Sequence, residues 1–557
     1  MTATAPALPG PRGTLATLTG ARRLTRLALR RDRVVLPVWI GSIAALAWAV
    51  VASYQGTVTT AAERVATATF SAGNPLARVF DGPASGTELG AMALVEGWKI
   101  IAILTALMAA QAVVRHTRQD EETGRAELLG SAVVGRHARL VAALVVAGGA
   151  SVAVGIATAV AIAAPTGLGW SGAWATGMAA AGIGLVFAGI AAVAAQVFST
   201  ARGANAVAGA ALGVAFLLRA VGDVTGTVRA DGVFVESRWP SWLSPYGWGQ
   251  QVRPYAEDNW WIAGLFVGLA LVLVVVAFRL ADRRDVGLGM VPPRRGPAHA
   301  TASLTTPFGL AWRLQRGVLA VWAVGLTVFG AVFGSVGDSV ETYVAENQSA
   351  REMLAVLLPD AEIVDLYYAL TMAIIGLAAG GYVVQALLRM RAEEASGRVE
   401  PLLATAVGRH RWFASHVVIV AAGAAVTLLA SGVAAALAYG AASGDLATGL
   451  GLVQAAAVQL PATLALGGFV VAAFGLLPRR AGPVTWFALA AALVMSQLGK
   501  LFELPQWLLD VSPYTHVPLV PAEPLTATPV LWLTTAAIAL GAVGFAAFRR
   551  RDLAIGA

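Results

Sequence analysis

Twelve apolar stretches, most near or beyond the roughly 20 residues a helix needs to cross a bilayer, leave this chain few ways to fold. They fall at 34–54, 94–115, 138–164, 171–199, 203–222 and 259–279, and again at 317–337, 364–388, 412–438, 448–476, 482–500 and 529–547. Hydrophobic residues make up 57% of the sequence and charged ones 13%, against about 25% charged in an average soluble domain. A soluble chain could not bury so much apolar surface. The reading is an all-α membrane protein of about 12 transmembrane helices.

The polar sequence between the spans is duplicated. Residues 120–140 (DEETGRAELLGSAVVGRHARL) align with 393–413 (EEASGRVEPLLATAVGRHRWF), and nine of the seventeen positions from 121 to 137 are identical. Glu121 meets Glu394, Gly124 meets Gly397, Arg125 meets Arg398 and Glu127 meets Glu400; Gly135-Arg136-His137 meets Gly408-Arg409-His410. The likeness extends further. Residues 33–39 (RVVLPVW) resemble 316–322 (RGVLAVW), Ser244-Pro245-Tyr246 resembles Ser512-Pro513-Tyr514, and the sixth spans end alike in Arg284-Asp285 and Arg551-Asp552. An even number of spans per repeat gives both copies one orientation, so the halves are two parallel six-helix repeats. The expected division is a disordered N-terminus at 1–18, a first half at 19–282, a linker with Pro292, Pro293 and Pro297 at 283–306, and a second half at 307–557.

Charge predicts orientation. With the N-terminus in the cytoplasm, thirty of the 39 Lys and Arg fall in the N-terminal arm, the even-to-odd connections and the C-terminal tail. The other nine are Arg64, Arg78, Lys99, Arg219, Arg229, Arg238, Arg253, Arg351 and Lys500. This positive-inside pattern puts both termini and both polar repeats in the cytoplasm. It also accounts for the net charge of +8 as topology, with no nucleic-acid partner. Residues 19–33 (TGARRLTRLALRRDR) suit a basic amphipathic helix at a membrane surface; a plain positive anchor is the simpler alternative. The absence of cysteine excludes disulfides and thiolate metal sites, and the six histidines show no metal-ligand spacing. No nucleophile–base constellation argues for an enzyme.

In each polar copy, acidic and apolar positions at helical spacing suit a short helix lying along the membrane or pressed into a partner. A solvated linker helix is the plain alternative, weakened because both copies keep the same charges. The pattern E-x-x-G-R-x-E-x-L-x-x-x-x-V-G-R after the second of six spans resembles the ABC-2-type permeases, also called type V ABC exporters. The fused halves with R-H-T-R-x-x-E-E-x-G-R-x-E-L-L at 115–129 are similar to actinobacterial multidrug permeases described as exporters of polyketide antibiotics. The resemblance covers nearly the whole chain.

It implies that Glu121, Gly124, Arg125, Glu127 and Arg136, and Glu394, Gly397, Arg398, Glu400 and Arg409, belong to two coupling helices. Each would dock on one copy of an ABC ATPase. It makes 19–33 a connecting helix, with the less basic 306–316 as its counterpart, and makes the Tyr246 and Tyr514 segments outer hairpins that cap an exit. It also implies export of hydrophobic or amphipathic antibiotics, drugs or lipids across the plasma membrane of a high-GC Gram-positive bacterium. No Gly-x-x-x-x-Gly-Lys-Ser/Thr loop occurs, and no soluble segment is large enough for an ATPase domain. ATP and Mg would therefore sit on the partner, and this chain needs no cofactor.

The outer connections are aromatic: Trp239, Trp242, Tyr246, Trp248, Tyr255, Trp260 and Trp261 in one half, Phe502, Trp507 and Tyr514 in the other. An interfacial belt explains most of them. Ionisable or amide groups within spans are costly and often functional. Glu96 and Lys99 can pair on one helix face. Gln111 and Gln385 occupy near-matching places, Arg219 and Asp223 lie four apart, and Lys500 is the second-half analogue. All are candidates for a pathway or gate; helix-end snorkelling or interhelical hydrogen bonds are the plain alternatives. Twelve spans in two parallel halves also fit a proton-driven secondary multidrug transporter. Against it, no Asp-Arg-x-Gly-Arg-Arg-type loop follows span two, and the spans lack scattered acids. A non-transporting scaffold or sensor is a third reading.

Overall fold

The computed structural model describes residues 16–291, 296, 298–335, 363–498 and 504–554. Lys500, Phe502, Arg351, Pro292, Pro293 and Pro297 lie outside the described residues, as do residues 1–15 of the N-terminal segment. Eleven helices among the described residues are long and apolar enough to span a membrane. The eleventh predicted stretch, 482–500, is met by a shorter helix, Ala481–Leu498. The chain divides into two compact units, 1–295 and 296–557.

The first unit opens with α1 (Ala21–Arg31) and α2 (Val35–Thr57). After two shorter helices, Ala61–Gly73 and Pro75–Phe80, comes α3 (Leu89–Val114), which continues through one π turn at Arg115–Gln119 into Asp120–Glu122. The short α4 (Arg125–Gly130) leads to α5 (Ala138–Thr166), α6 (Trp170–Val197) and α7 (Ala201–Val224). A two-residue antiparallel ribbon (Thr227–Val228 with Val235–Glu236), α8 (Pro245–Gln251) and α9 (Ala263–Ala281) complete it. The second unit runs α10 (Pro307–Gly334), α11 (Ile363–Ala395), α12 (Val399–Leu403), α13 (Arg409–Ser443), α14 (Leu446–Ala457) and α15 (Leu460–Leu476). It closes with α16 (Ala481–Leu498) and α17 (Ala527–Arg550).

Each unit packs its spans in the same pairs. The first span lies on the third (α2 on α5; α10 on α13), the second on the fourth (α3 on α6; α11 on α15), and the fourth on the sixth (α6 on α9; α15 on α17). Lipid tails are as apolar as leucine, so such contacts depend on close backbone approach through small residues. At the α5–α6 crossing, a Cβ added to either Gly155 or Gly177 would lie 2.4 Å from the other's carbonyl oxygen. The α15–α17 crossing repeats the device, with Gly475 2.4 Å from the Gly544 carbonyl oxygen by the same construction. The outer faces stay apolar, as at Leu271, Val272 and Val275 of α9.

Among the described residues, two differences between the halves bear on the predicted elements. The expected counterpart of α1 at 306–316 is no separate surface helix; it forms the first turns of the continuous α10. In the first unit the chain breaks after Arg31, where Asp32 accepts hydrogen bonds from Arg115 (2.7 Å) and meets His116 Nε2 (2.7 Å). The aligned second-half residue, Gln315, reaches His416 of α13 (3.0 Å) from within its helix, so nothing stops α10. The predicted span 448–476 is interrupted between α14 and α15. Pro461 lacks the N–H that would bond the carbonyl four residues earlier, and the buried Gln459 packs against Gly376 of α11.

Candidate functional site

The duplicated segment leaves the second span of each unit and reverses at a glycine. Gly124 and Gly397 take φ values of 71° and 70°, a left-handed conformation that favours glycine. The acid three residues before each glycine turns inward. Glu121 accepts two bonds from Arg284 (3.1 and 2.9 Å), one from Arg118 (2.8 Å) and one from the Gly287 backbone N–H (3.3 Å). Glu394 accepts both guanidinium arms of Arg551, one at 2.8 Å, and the Ala554 N–H at 2.8 Å. Their side chains are 4% and 0% exposed.

The arginine at the far end of each segment clasps the same place. Arg136 donates to the carbonyls of Ala281, Asp282 and Arg284 at 3.0, 2.7 and 3.4 Å. Arg409 donates to those of Phe548, Arg549 and Arg551 at 3.1, 3.4 and 2.7 Å. All of those carbonyls but Arg284's are orphaned by the end of the sixth span, and a cation there also complements the helix dipole. Each segment is therefore tied by a carboxylate and a guanidinium to the end of its own unit's sixth span.

Four of the ten sequence-predicted coupling residues, Glu121, Arg136, Glu394 and Arg409, are thus engaged inside their own unit. Arg125, Glu127, Arg398 and Glu400 are exposed, beside the reversing glycines Gly124 and Gly397; Arg398 is tethered to Glu393 at 2.7 Å. Between them the first copy presents two apolar side chains that the charge pattern missed: Leu128 is 77% exposed and Val133 88%. In the second copy, Glu400, Leu403, the stretch 404–409 and Leu553 line an open groove of about 500 Å³.

The copies differ in what their preceding acid holds. Asp120 takes Arg31 of α1 at 3.0 and 2.9 Å. Backbone bonds also join α1's approach to the segment, Gly135 N–H to Thr19 O (2.9 Å) and His137 N–H to Thr17 O (3.0 Å). Glu393 takes Arg389 of α11 and Arg398 of its own segment instead, both at 2.7 Å. Burial alone would raise the Asp32 carboxyl, but the hydrogen bonds and charges of His116 and Arg115 hold it below its ordinary value.

The candidates inside the spans separate. Lys99 pairs closely with Asp81, lies 4.0 Å from Glu96, and Glu96 accepts from Tyr54 Oη at 3.4 Å. Arg219 and Asp223 form a fully buried pair at 3.4 Å. Arg219 also donates to the carbonyls of Arg78 (2.9 Å) and Val79 (2.6 Å), capping the helix Pro75–Phe80. It does not snorkel. Gln385 is exposed and accepts from Trp322 Nε1 at 2.7 Å. Gln111 instead lines an open cavity of about 240 Å³ with Arg115, Gln119, Asn205, Phe187 and Leu212. Tyr246 and Tyr514 are buried beneath serine-capped turns. Ser244 Oγ accepts from Gly247 N–H and Ser512 Oγ from Tyr514 N–H, at 3.1 and 3.3 Å.

Comparison with known proteins agrees with this architecture. Residues 304–549 match the family described as "Multidrug efflux system permease Rv1217c, C-terminal domain". The chain is 43% identical over 540 residues to the multidrug efflux system permease protein Rv1217c of Mycobacterium tuberculosis, covering 96% of this chain and 95% of that one.

Proposed function

The chain belongs to the family of multidrug efflux system permeases that includes Rv1217c, and on that premise we propose that it is the membrane subunit of an ABC-2-type, type V exporter. It carries drugs or other hydrophobic or amphipathic compounds out of the cell, powered by ATP hydrolysis on two copies of a separate ATPase. Both termini and both duplicated segments face the cytoplasm. The observation that carries the reading is the clamp built twice, with a solvated tip left over in each copy.

Arg125, Glu127, Leu128 and Val133 form one docking face; Arg398, Glu400 and the adjoining groove form the other. ATP-driven closure of the partners moves the two segments. Each segment is tied to its sixth span through Glu121 and Arg136, or Glu394 and Arg409, and is continuous with its second span. Motion therefore passes to helices that cross the bilayer, without reorganising the clamp. Cargo enters beside Gln111 and Asn205, where apolar walls and a few polar groups suit an amphipathic molecule.

Asp223, an acid buried within a span, speaks for the proton-driven alternative. Its pairing with Arg219, which caps a neighbouring helix, gives it a structural role instead. The test is capture of the ATPase from native membranes by tagged wild type and by a Leu128→Asp/Val133→Asp/Glu400→Arg variant. A stoichiometric partner is expected on wild type, and its loss on a variant that still elutes as a folded, monodisperse protein. Equal capture by both would place the docking face elsewhere.

A further inference from the structure

Helix α1 carries an arginine surface that the clamp does not use. Arg22, Arg23, Arg26 and Arg30 are exposed and form no ion pair among the described residues. At 3.6 residues per turn they share an arc of about 100°. Leu27 and Leu29 flank that arc and are also exposed, while the opposite face, with Ala28 buried, packs on α5. Four residues after α1 ends, α2 starts its apolar run, which sets α1 at the membrane boundary. A cationic arc between two exposed leucines fits one occupant: guanidinium groups on phosphate, leucines among the upper acyl chains.

We infer that α1 is a binding site for anionic phospholipid headgroups, and that their occupancy sets how firmly the first duplicated segment is held, with no equivalent for the second. The connection is explicit. Arg31 pairs with Asp120, Asp32 holds Arg115 and His116, and the Thr19 and Thr17 carbonyls accept from Gly135 and His137. Fixing α1 on the lipid surface fixes the backbone from which residues 135–137 hang. Among the described residues the second segment has no such arm, because residues 307–334 are one helix and Glu393 is satisfied by Arg398 of its own segment. Lipid binding is independent of the transport reading above; its consequence for ATPase docking rests on that reading.

The test uses the full chain alone, in nanodiscs of phosphatidylcholine with or without about 30 mol% phosphatidylglycerol. Amide hydrogen exchange is read at 134–138 and, as internal control, at 407–411. Each arginine near an anionic surface is worth roughly fivefold in association, so if the binding of even one of the four is passed to the segment, exchange at 134–138 should slow at least about fivefold with phosphatidylglycerol and stay unchanged at 407–411. An Arg22→Gln/Arg23→Gln/Arg26→Gln/Arg30→Gln variant should lose the effect, and the four Arg→Lys substitutions should keep most of it, which separates charge from folding. Inorganic phosphate with phosphatidylcholine discs should do nothing. The inference fails if phosphatidylglycerol has no effect, if both segments respond equally, if the glutamine variant still responds, or if free phosphate reproduces the protection.

Discussion

Replacing Glu394 with Gln tests whether the clamp is an energetic device or a chance of side-chain placement. The carboxylate accepts both arms of Arg551 and the Ala554 N–H, and is fully buried. Hydrogen bonds to charged groups are worth about 1.5–3 kcal/mol and neutral ones about 0.5–1.5 kcal/mol. Gln keeps one acceptor oxygen and turns an NH₂ group toward the guanidinium, so one arm is lost outright and the other bonds weaken. Arg551 remains 16% exposed, which lets water recover part of the loss. The net cost of local opening is then about 2–3 kcal/mol. At about 1.4 kcal/mol per factor of ten, that is about 30- to 150-fold. Hydrogen exchange at the Ala554 amide reads it directly. The cycle with Arg551→Gln should be strongly non-additive, the double variant exchanging no faster than the worse single one. A change below about threefold, or simple additivity of the two substitutions, would refute the reasoning.

Other expectations follow from the same geometry. Glu121→Gln should loosen the Gly287 amide in parallel, with the second unit unaffected. Arg219→Gln, by stranding Asp223, should cost about 3–5 kcal/mol and lower the thermal midpoint; adding Asp223→Asn should recover most of it. Because the Asp32 carboxyl is held below its ordinary value, its contribution is complete above the unfolded-chain value of about 4. It is lost as pH falls through the lower folded value, so α1 should resist proteolysis down to about pH 4 and release below it, whereas Asp32→Asn should release α1 at every pH. Gly155→Leu should abolish folded yield by forcing α5 off α6, as measured by fluorescence-detected gel filtration.

The spans were legible because continuous apolar sequence leaves no alternative, and α1 was legible from its arginines and leucines. The clamp was half legible. Arg284-Asp285 and Arg551-Asp552 stood out as a repeat, but nothing in local spacing joins Arg284 to Glu121 across the intervening spans. The resemblance groups Glu121 and Arg136 with the coupling residues, and the repeat between the halves does not tell their inward bonds from a role at a partner. Leu128 and Val133 look like ordinary apolar residues until the fold leaves them in solvent. The resemblance that makes 306–316 a counterpart of 19–33 says nothing about whether a residue there ends a helix; Asp32 does so through partners on another helix, and Gln315 does not. The break at Gln459 was readable in principle from Pro461.

ATP hydrolysis on docked partners is the proposed drive of this permease. The most direct measurement is uptake of a fluorescent lipophilic dye into inside-out proteoliposomes holding the chain with its co-purified ATPase and no proton gradient. Uptake should require ATP, ignore a proton uncoupler and disappear with the Leu128→Asp/Val133→Asp/Glu400→Arg variant. Uptake by the chain alone, needing a proton gradient and indifferent to ATP, would contradict it.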